Sequence, residues 1–345
     1  HNRTHSFPTR RSSDLIAELI NPADDWVVRG ERLGDLRISR RVWLASDGET
    51  IVFIGLEEDF NRHCSLSEDA VVIDGSGFVA MPGFVDPHSH LPFAGTRQDE
   101  FREKLLGVSY QDIAARGGGI RGSVRRTREI DGKDLAKVCE KRLDRFLLAG
   151  TTTLEAKSGY GLDRDNEIKQ LEVIEALSAI HPVDLVPTFM GAHEIPDEYR
   201  GRNSEYLDMM AGEVMPVVRR RGLAQFCDIF CEEGYFSYRE AESYLNKATK
   251  AGFKLKVHAD EFTSNGAAEL AARLGAQSTE HLIAISEEEI ACLSASETAA
   301  VLLPGVSFFL KMDRYAPARS LIDSNAIVAL GSDFNPGSSM VSSQL

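Results

Sequence analysis

The chain has 345 residues, a formal net charge of −14 and an apolar share of 43%. This length accommodates one large α/β barrel with a smaller appended lobe, and the apolar content is sufficient for a sizeable core. Phosphate recognition needs clustered Lys and Arg, so the acidic balance argues against a nucleic-acid partner. No run approaches the roughly 18 apolar residues of a membrane span, so we expect no membrane segment.

The five cysteines are an odd count without zinc-finger spacing. Cys227 and Cys231 lie in one apolar, strand-like run, which favours buried thiols over a disulfide or a metal site. This cysteine usage is typical of a reducing compartment, and we therefore expect a cytoplasmic protein.

The N-terminal segment, residues 1–15, differs from the rest of the chain. HNRTHSFPTRRSSDL is polar, rich in Arg and Ser, and has no periodicity. Its FPTRRSSDL portion is what a common short-read sequencing adapter encodes in one reading frame. We expect a non-native, adapter-derived tail here, with a natural disordered N-terminus as the alternative, and we exclude these residues from the fold prediction.

Residues 16–82 are predicted to form the N-terminal part of a small β-domain. Apolar segments such as RRVWLASDGETIVFIG and AVVIDGSGFVAMPG are separated by turns that contain Gly and Asp. This punctuation is typical of a sheet that is rich in hairpins.

From residue 83 onward, apolar β-branched stretches alternate with charged helical runs, which indicates βα units and a parallel sheet. Eight strand candidates predict a (β/α)8 TIM-like barrel over residues 83–345. The candidates are 83–90, 151–161, 184–194, 225–234, 253–262, 276–282, 298–305 and 326–337. The long gap at 91–133 is predicted to hold a loop and a short helix around SYQDIAARGG.

The glycine-rich stretch RGGGIRG, residues 116–122, follows no predicted strand. It also lacks the GxGxxG and GxxxxGK[ST] patterns that bind phosphates. We therefore interpret it as a flexible active-site loop.

Residues of the types that ligate metals or transfer protons concentrate at the predicted strand ends, where such a barrel has its active site. His88 and His90 alternate along the first strand, so both imidazoles point to one face, which suits a divalent metal. Five of the nine histidines lie at strand ends, which is not expected of scattered core or surface histidines. The strand-end candidates are His88, His90, Glu155, Lys157, Tyr160, His193, His258, Glu261, His281 and Asp333.

Several candidates also fit structural roles. His258 in KVHADEF suits a hydrogen-bonded core histidine, Asp333 in GSDFNPG suits a turn, and His281 in TEHL suits either role. His193 opens GAHEIPDEY, which begins like the HExxH zinc motif. The second His of that motif is absent, however, and Pro196 breaks the helix that it requires.

Several motifs together resemble a known family. PGFVDPHSH, the later strand-end histidines and GSD near the last strand are similar to the amidohydrolase superfamily in order and spacing. FAGTRQDEF, EAKSGYGL, FMGAHEIPDEY and HADEF more closely resemble the imidazolonepropionase family of histidine degradation. The likeness extends from about residue 16 to the last residue. The family's C-terminal segment, which completes a small β-sandwich with residues 16–82, is missing here, so we expect a C-terminally truncated barrel.

The resemblance implies a homodimer that hydrolyses 4-imidazolone-5-propanoate to N-formimidoyl-L-glutamate with one divalent ion, Zn2+ or iron (Fe2+ or Fe3+). The implied metal ligands are His88, His90, His258 and Asp333. The implied substrate contacts are Arg97, Tyr160, His193, Glu261, Asn335, Gly337 and Ser338. The implied catalytic residues are Asp333 as proton acceptor, His281 as carbonyl or oxyanion partner, and Glu261 as proton shuttle. The carbamylated lysine of binuclear relatives is absent by this analogy, because the fourth strand, FCDIFCEEG, offers no lysine.

Three other readings stay open. Another amidohydrolase, such as a formimidoyl-glutamate deaminase or a purine or pyrimidine deaminase, would share the metal ligands and differ at Arg97, Tyr160 and His193. A non-catalytic scaffold on the same barrel would be expected to lose metal ligands, whereas this chain keeps all four. A truncated chain that does not fold would have no activity.

Overall fold

The structure, a computed structural model, describes residues 10–24, 26–108, 112–113 and 116–345, with only the backbone described for residues 10–15. The chain divides into two compact units, residues 1–28 with 32–82 and residues 29–31 with 83–345. The tail predicted over residues 1–15 lies outside the described residues as far as residue 9, and its remainder belongs to the first strand, which begins at Arg10.

The first unit is built on one five-stranded sheet. Its strand order is β3-β2-β1-β4, and β5 also pairs with β1. β2 is antiparallel to both β1 and β3, whereas β4 and β5 run parallel to β1. The strands are β1 Arg10–Pro22, β2 Leu36–Asp47, β3 Thr50–Gly55, β4 Val71–Asp74 and β5 Val79–Ala80, with a helix at Glu57–His63. The β2–β3 hairpin turns at Gly48, whose φ of +60° favours glycine.

Eight parallel strands form the sheet of the second unit, in chain order from β6 to β13. Beyond the strand ends the sheet closes on itself, because Ser89 bridges Phe334 and the Asp333 N–H donates to the His88 carbonyl at 3.0 Å. The strands are β6 Phe84–Asp86, β7 Thr151–Lys157, β8 Asp184–Ala192, β9 Phe226–Cys231, β10 Lys254–Ala259, β11 Ser278–His281, β12 Ala299–Leu302 and β13 Ile327–Leu330. The predicted barrel fold is confirmed, and each strand candidate contains one barrel strand.

Amphipathic helices flank these strands. In the helix Gly132–Leu148 the buried residues Leu135, Cys139, Leu143 and Phe146 recur at helical spacing, and the Asp131 side chain caps its first turn. The helices described in the barrel unit are Gln98–Leu105, Ile120–Glu129, Gly132–Leu148, Arg164–Ser178, Asn203–Met209, Met215–Arg221, Tyr238–Ala251, Ala267–Leu274, Glu287–Ser294, Pro304–Phe309 and Ala318–Asp323, with a π-turn at Met210–Val214 and a 3-10 turn at Asp197–Tyr199. Another 3-10 turn lies at Gly30–Gly34. Along the described residues, no helix combines the length and apolar character needed to cross a membrane.

The segment 91–133 contains more helix than the sequence predicts. Helices occupy Gln98–Leu105 and Ile120–Glu129, and the second begins directly after Gly119, whose φ is +69°. The interpretation of residues 116–122 as a flexible loop was therefore wrong for their C-terminal half. Gly122 and nearby β-branched residues lower the intrinsic helix propensity, but their buried packing outweighs it. Of the stretch SYQDIAARGG, for which a short helix was predicted, residues 109–111 and 114–115 lie outside the described residues, and residues 112–113 are helical.

Candidate active site

Three imidazole nitrogens and one carboxylate oxygen converge at the carboxyl ends of the barrel strands. The His90 Nε2 atom lies 3.3 Å from His88 Nε2 and 3.2 Å from His258 Nε2. The Asp333 Oδ1 atom lies 3.2 Å from His88 Nε2 and 3.1 Å from His90 Nε2. All four side chains are buried. The structure thus brings the four predicted metal ligands together at one point.

These separations fit a divalent cation. Ligands bonded at about 2.0–2.1 Å to a tetrahedral zinc ion lie about 3.3 Å from one another. Asp333 Oδ1 is buried and has no hydrogen-bond partner, a costly state for a carboxylate oxygen unless a cation is its partner. His88, His90 and Asp333 place their ligand atoms within reach of a single ion. The four-ligand cluster is therefore capable of holding a metal.

The protonation state of the histidines also suits metal binding. Burial lowers the pKa of His90 to about 3 and holds the pKa values of His88 and His258 well below their usual range. The His258 Nδ1–H group donates to Asp228 Oδ1 at 3.1 Å, which leaves the Nε2 lone pair directed at the cluster. The imidazoles are thus neutral, as metal ligands must be.

A buried ionic network extends from Asp228. The Lys157 ammonium lies 2.8 Å from Asp228 Oδ2 and 2.7 Å from Glu155 Oε2. Glu155 Oε1 in turn lies 2.8 Å from the Lys256 ammonium, which reaches Glu280 at 3.4 Å. Burial lowers the pKa of Lys157, but Asp228, Glu155 and Glu280 outweigh it, and the net shift is upward. Lys157 is therefore a fixed positive charge next to the carboxylate that orients His258.

The sequence analysis missed three members of this network: Asp228, Lys256 and Glu280. The available signal was a charged residue within a predicted barrel strand: Asp228 in FCDIFC, Lys256 in FKLKVHA and Glu280 in STEH. A charge in a buried strand requires a buried partner. The pattern could have indicated such a network, but not which residues pair within it.

The loop after β13 fixes the orientation of Asp333. The Asn335 side-chain amide donates to Asp333 Oδ2 and to Ser338 Oγ, both at 2.7 Å. The Asn335 Oδ1 atom accepts from the backbone N–H groups of Gly337 and Ser338, both at 2.8 Å. Asn335 therefore ties the carboxylate ligand to the loop, in addition to lining the cavity described below.

His281 and Asp333 both adopt left-handed backbone conformations, with φ values of +74° and +48°. This region is unfavourable for most residues, although His and Asp enter it more readily than others, and such strain concentrates at functional sites. The His281 ring lies 5.2 Å from the His258 ring, centroid to centroid. Burial lowers the pKa of His281 to about 4, so its imidazole is neutral.

Glu261 lies beside His281, with its Oε2 atom 3.7 Å from His281 Nε2. Burial, together with the nearby carboxylates of Asp333 and Glu232, holds the pKa of Glu261 well above its usual range. A carboxyl group in this environment keeps its proton to a higher pH than a solvent-exposed glutamate does. It is therefore suited to donate that proton.

A cavity lined by both polar and aromatic side chains opens onto the cluster. The predicted residues that line it are His90, Arg97, Tyr160, His193, His258, Glu261, His281, Asp333, Asn335, Gly337 and Ser338. The lining residues that the sequence analysis missed are Lys104, Ile120, Phe230, Tyr235, Phe262 and Leu310. Most of these are apolar or aromatic, and nothing in the sequence alone distinguishes them from core residues.

Arg97 is the most unusual polar group of this cavity. Its side chain is buried, and its Nε and Nη1 atoms have no hydrogen-bond partner. Glu100 Oε2 lies 3.7 Å from the Arg97 Nε atom, beyond hydrogen-bond distance. The guanidinium also packs against Gly337, where an added Cβ would lie 1.1 Å from Arg97 Nη2. A buried guanidinium with two nitrogen atoms that lack hydrogen-bond partners is suited to bind a carboxylate.

The Tyr160 and His193 rings are in edge-to-face contact in the cavity, with ring centroids 5.1 Å apart. The His193 Nδ1–H group donates to the Gly159 carbonyl at 2.9 Å, which leaves Nε2 as an acceptor. The turn that holds Tyr160 is fixed by Glu167, whose Oε1 atom accepts from the N–H groups of Gly161 at 2.9 Å and Leu162 at 2.8 Å. The sequence analysis also missed Glu167.

Curated relatives match most of the chain. It is 49% identical over 311 residues to the imidazolonepropionase of Symbiobacterium thermophilum, a match that covers 90% of this chain and 73% of the relative. It is 44% identical over 314 residues to the imidazolonepropionase of Clostridium tetani, which covers 91% of this chain and 74% of the relative. No protein-family model matches the chain.

Solved structures agree on the fold. Escherichia coli guanine deaminase superposes with a TM-score of 0.68 at 14% identity, over 96% of this chain and 75% of that one. The atrazine chlorohydrolase of Arthrobacter aurescens, solved with zinc and atraton, superposes with a TM-score of 0.58 at 16% identity, over 95% and 73%.

Proposed function

Because the chain belongs to the imidazolonepropionase family, we propose that it hydrolyses 4-imidazolone-5-propanoate to N-formimidoyl-L-glutamate, a step of histidine degradation. It is a hydrolase that acts on a carbon–nitrogen bond of a cyclic amide. The observation that carries the proposal is that the cavity next to the four-ligand cluster also contains the buried Arg97 guanidinium, two of whose nitrogen atoms lack hydrogen-bond partners. The first suits hydrolysis, and the second suits a substrate with a carboxylate.

The proposed metal is one divalent ion, zinc or iron, held by His88, His90, His258 and Asp333. When bound, such an ion would act as a Lewis acid and would lower the pKa of a coordinated water to about 7 in favourable sites. A set of three histidines and one aspartate suits zinc and iron alike. The zinc of the atrazine chlorohydrolase complex supports a divalent ion on this fold.

The protein groups account for the proton transfers of the reaction. Water adds to the ring carbonyl carbon, the carbon–nitrogen bond breaks, and the departing nitrogen takes a proton. The Asp333 carboxylate accepts the proton of the water, and neutral His281 polarises the carbonyl or stabilises the oxyanion. Glu261, whose pKa is raised by burial, donates to the departing nitrogen.

We assign substrate selection to the other polar residues that line the cavity. The planar Arg97 guanidinium forms paired hydrogen bonds with the propanoate, which a lysine would not reproduce. Tyr160 and His193 bond to the ring and the carboxylate, while Asn335, Gly337 and Ser338 complete the contacts. Analogues that lack these polar groups leave buried donors unpaired and are rejected.

The test is turnover of a substrate panel by the metal-loaded protein. We expect loss of 4-imidazolone-5-propanoate absorbance and formation of N-formimidoyl-L-glutamate by NMR, with no ammonia released from guanine or from N-formimidoyl-L-glutamate. Arg97→Lys is expected to raise KM, while the exposed Arg319→Lys should not. Ammonia release would instead support a deaminase, and a metal-loaded protein without turnover would support a scaffold.

We also propose a cytoplasmic homodimer with no nucleic-acid partner. All five cysteines are free thiols, which supports a reducing compartment. The dimer rests on family likeness alone and is checked by sedimentation analysis.

A further inference from the structure

Lys104 lies at the same corner of the cavity as Arg97. It belongs to the helix Gln98–Leu105, and its ammonium donates to the Gly337 carbonyl at 3.1 Å. Gly337 is also the residue against which the Arg97 guanidinium packs. The two cations therefore converge on one glycine, although they lie seven positions apart in the chain.

Arg97 and Lys104 bring two cations to one wall of the cavity. Among the described residues, the charged groups that act on Lys104 are Arg97, from the loop before the helix, and Glu100, from the helix itself. Glu100 Oε1 accepts from the Gly119 N–H at 3.0 Å, and its Oε2 lies 3.7 Å from Arg97 Nε. Within this described set two cations face one carboxylate, and neighbouring cations in a partly buried site favour an anionic ligand.

The properties of Lys104 agree with this imbalance. Burial and the Arg97 charge lower the pKa of Lys104 to about 8, against the opposing effect of Glu100. An ammonium has three N–H donors and no acceptor, so it can donate to the Gly337 carbonyl and to an anion together. A bound anion would offset the repulsion between the two cations and stabilise the charged form of Lys104.

We propose that Lys104 is a second substrate-binding cation, which holds the carboxylate of the substrate jointly with Arg97. This inference rests on the proposed function and specifies its anion subsite. Arg97 provides the paired, directional contact and Lys104 a point charge from the helix side. Together they select substrates with a carboxylate on a short side chain over neutral analogues.

The proposal has a consequence for the pH dependence of substrate binding. Lys104 is charged below its pKa of about 8 and loses its charge as the pH rises above it. The Gly337 loop contributes a carbonyl to Lys104. We therefore expect KM of the wild type to rise between pH 7 and pH 9, and this rise to be absent in Lys104→Met.

The experiment compares the wild type, Lys104→Met, Lys104→Gln and Lys104→Arg, all metal-loaded, with the exposed Lys133→Met as matched control. We expect KM for 4-imidazolone-5-propanoate to rise roughly tenfold in the two neutral variants, with kcat within about twofold, the size of one charge-assisted hydrogen bond. Lys104→Arg should retain most of the affinity. The neutral propanamide analogue should show no change in KM.

Metal content and melting temperature, measured on each variant, identify any that do not fold. Unchanged KM in a folded neutral variant, or a loss confined to kcat, overturns the role of Lys104. If KM of the wild type does not change between pH 7 and pH 9, this measurement alone contradicts the role of Lys104. If the wild type itself does not turn over 4-imidazolone-5-propanoate, the proposed function fails instead.

Discussion

Replacing Gly337 with alanine separates substrate binding from folding in a single substitution. An added Cβ would lie 1.1 Å from Arg97 Nη2 and 1.9 Å from Arg97 Cζ, so the guanidinium must move. The atoms in conflict are the far end of a flexible side chain. The φ of Gly337 lies outside the left-handed region, so alanine is compatible with the backbone. The conflict is therefore resolved by displacing Arg97 from its position in the cavity.

The expected magnitude follows from the contact that is lost. A hydrogen bond to a charged group contributes about 1.5–3 kcal/mol, which corresponds to a roughly 10- to 150-fold increase in KM. The free energy of unfolding should change by only about 0.5 kcal/mol. Steady-state kinetics with 4-imidazolone-5-propanoate measures the first quantity, and urea unfolding of the same preparation measures the second.

Gly212→Ala is the matched control, because its added Cβ meets no atom within 4 Å and its φ is also outside the left-handed region. It should leave KM unchanged and should not lower the free energy of unfolding, because alanine is the better helix former at this helical position. If Gly337→Ala binds substrate as the wild type does, Arg97 is not held by this packing. If it unfolds instead, the loop rather than the guanidinium gives way, and the reasoning is refuted.

Three further predictions concern residues around the site. Asp228→Asn weakens the hydrogen bond that orients the His258 ring and should lower metal affinity about 10- to 100-fold in a chelator competition. Unchanged affinity would show that this hydrogen bond does not orient His258. Lys157→Met leaves the buried carboxylates of Asp228 and Glu155 without their shared cation and should lower the free energy of unfolding in urea by about 3–5 kcal/mol. Wild-type stability of this variant would contradict a charged network. Glu167→Ala removes the acceptor of backbone N–H groups in the turn after β7, so it should lower the free energy of unfolding by about 1–3 kcal/mol and raise KM. If both quantities stay unchanged, the turn keeps its conformation without the carboxylate.

The barrel could be predicted from the sequence because strand-like stretches alternate with charged helical runs, and ligand-type residues lie at the strand ends. The helix Ile120–Glu129 could not, since Gly122 and the β-branched residues argue against a helix, and only burial in the folded unit overrides them. The sequence pattern predicts an element well when the alternation of buried and exposed residues determines its secondary structure. It predicts an element poorly when packing against the rest of the fold overrides the intrinsic propensity.

The proposed metal ligands and Arg97 could be predicted from motifs and resemblance, whereas the residues that hold them in place could not. Lys157 and Asp228 are 71 positions apart, and neither has a local signal that names the other. Lys104 resembles any helical surface lysine until the fold brings it to the Gly337 carbonyl. Contacts of this kind depend on the closure of the barrel, and no periodicity in the sequence encodes them.

The central claim is that the four-ligand cluster is the seat of imidazolone hydrolysis, and a metal titration tests it most directly. Metal-free protein is titrated with Zn2+, and bound metal and turnover of 4-imidazolone-5-propanoate are measured on the same samples, with His258→Ala in parallel. We predict that turnover rises with bound metal and saturates at about one ion per chain, and that His258→Ala loses both. Turnover that is independent of bound metal, or that persists in His258→Ala without metal, would contradict the account.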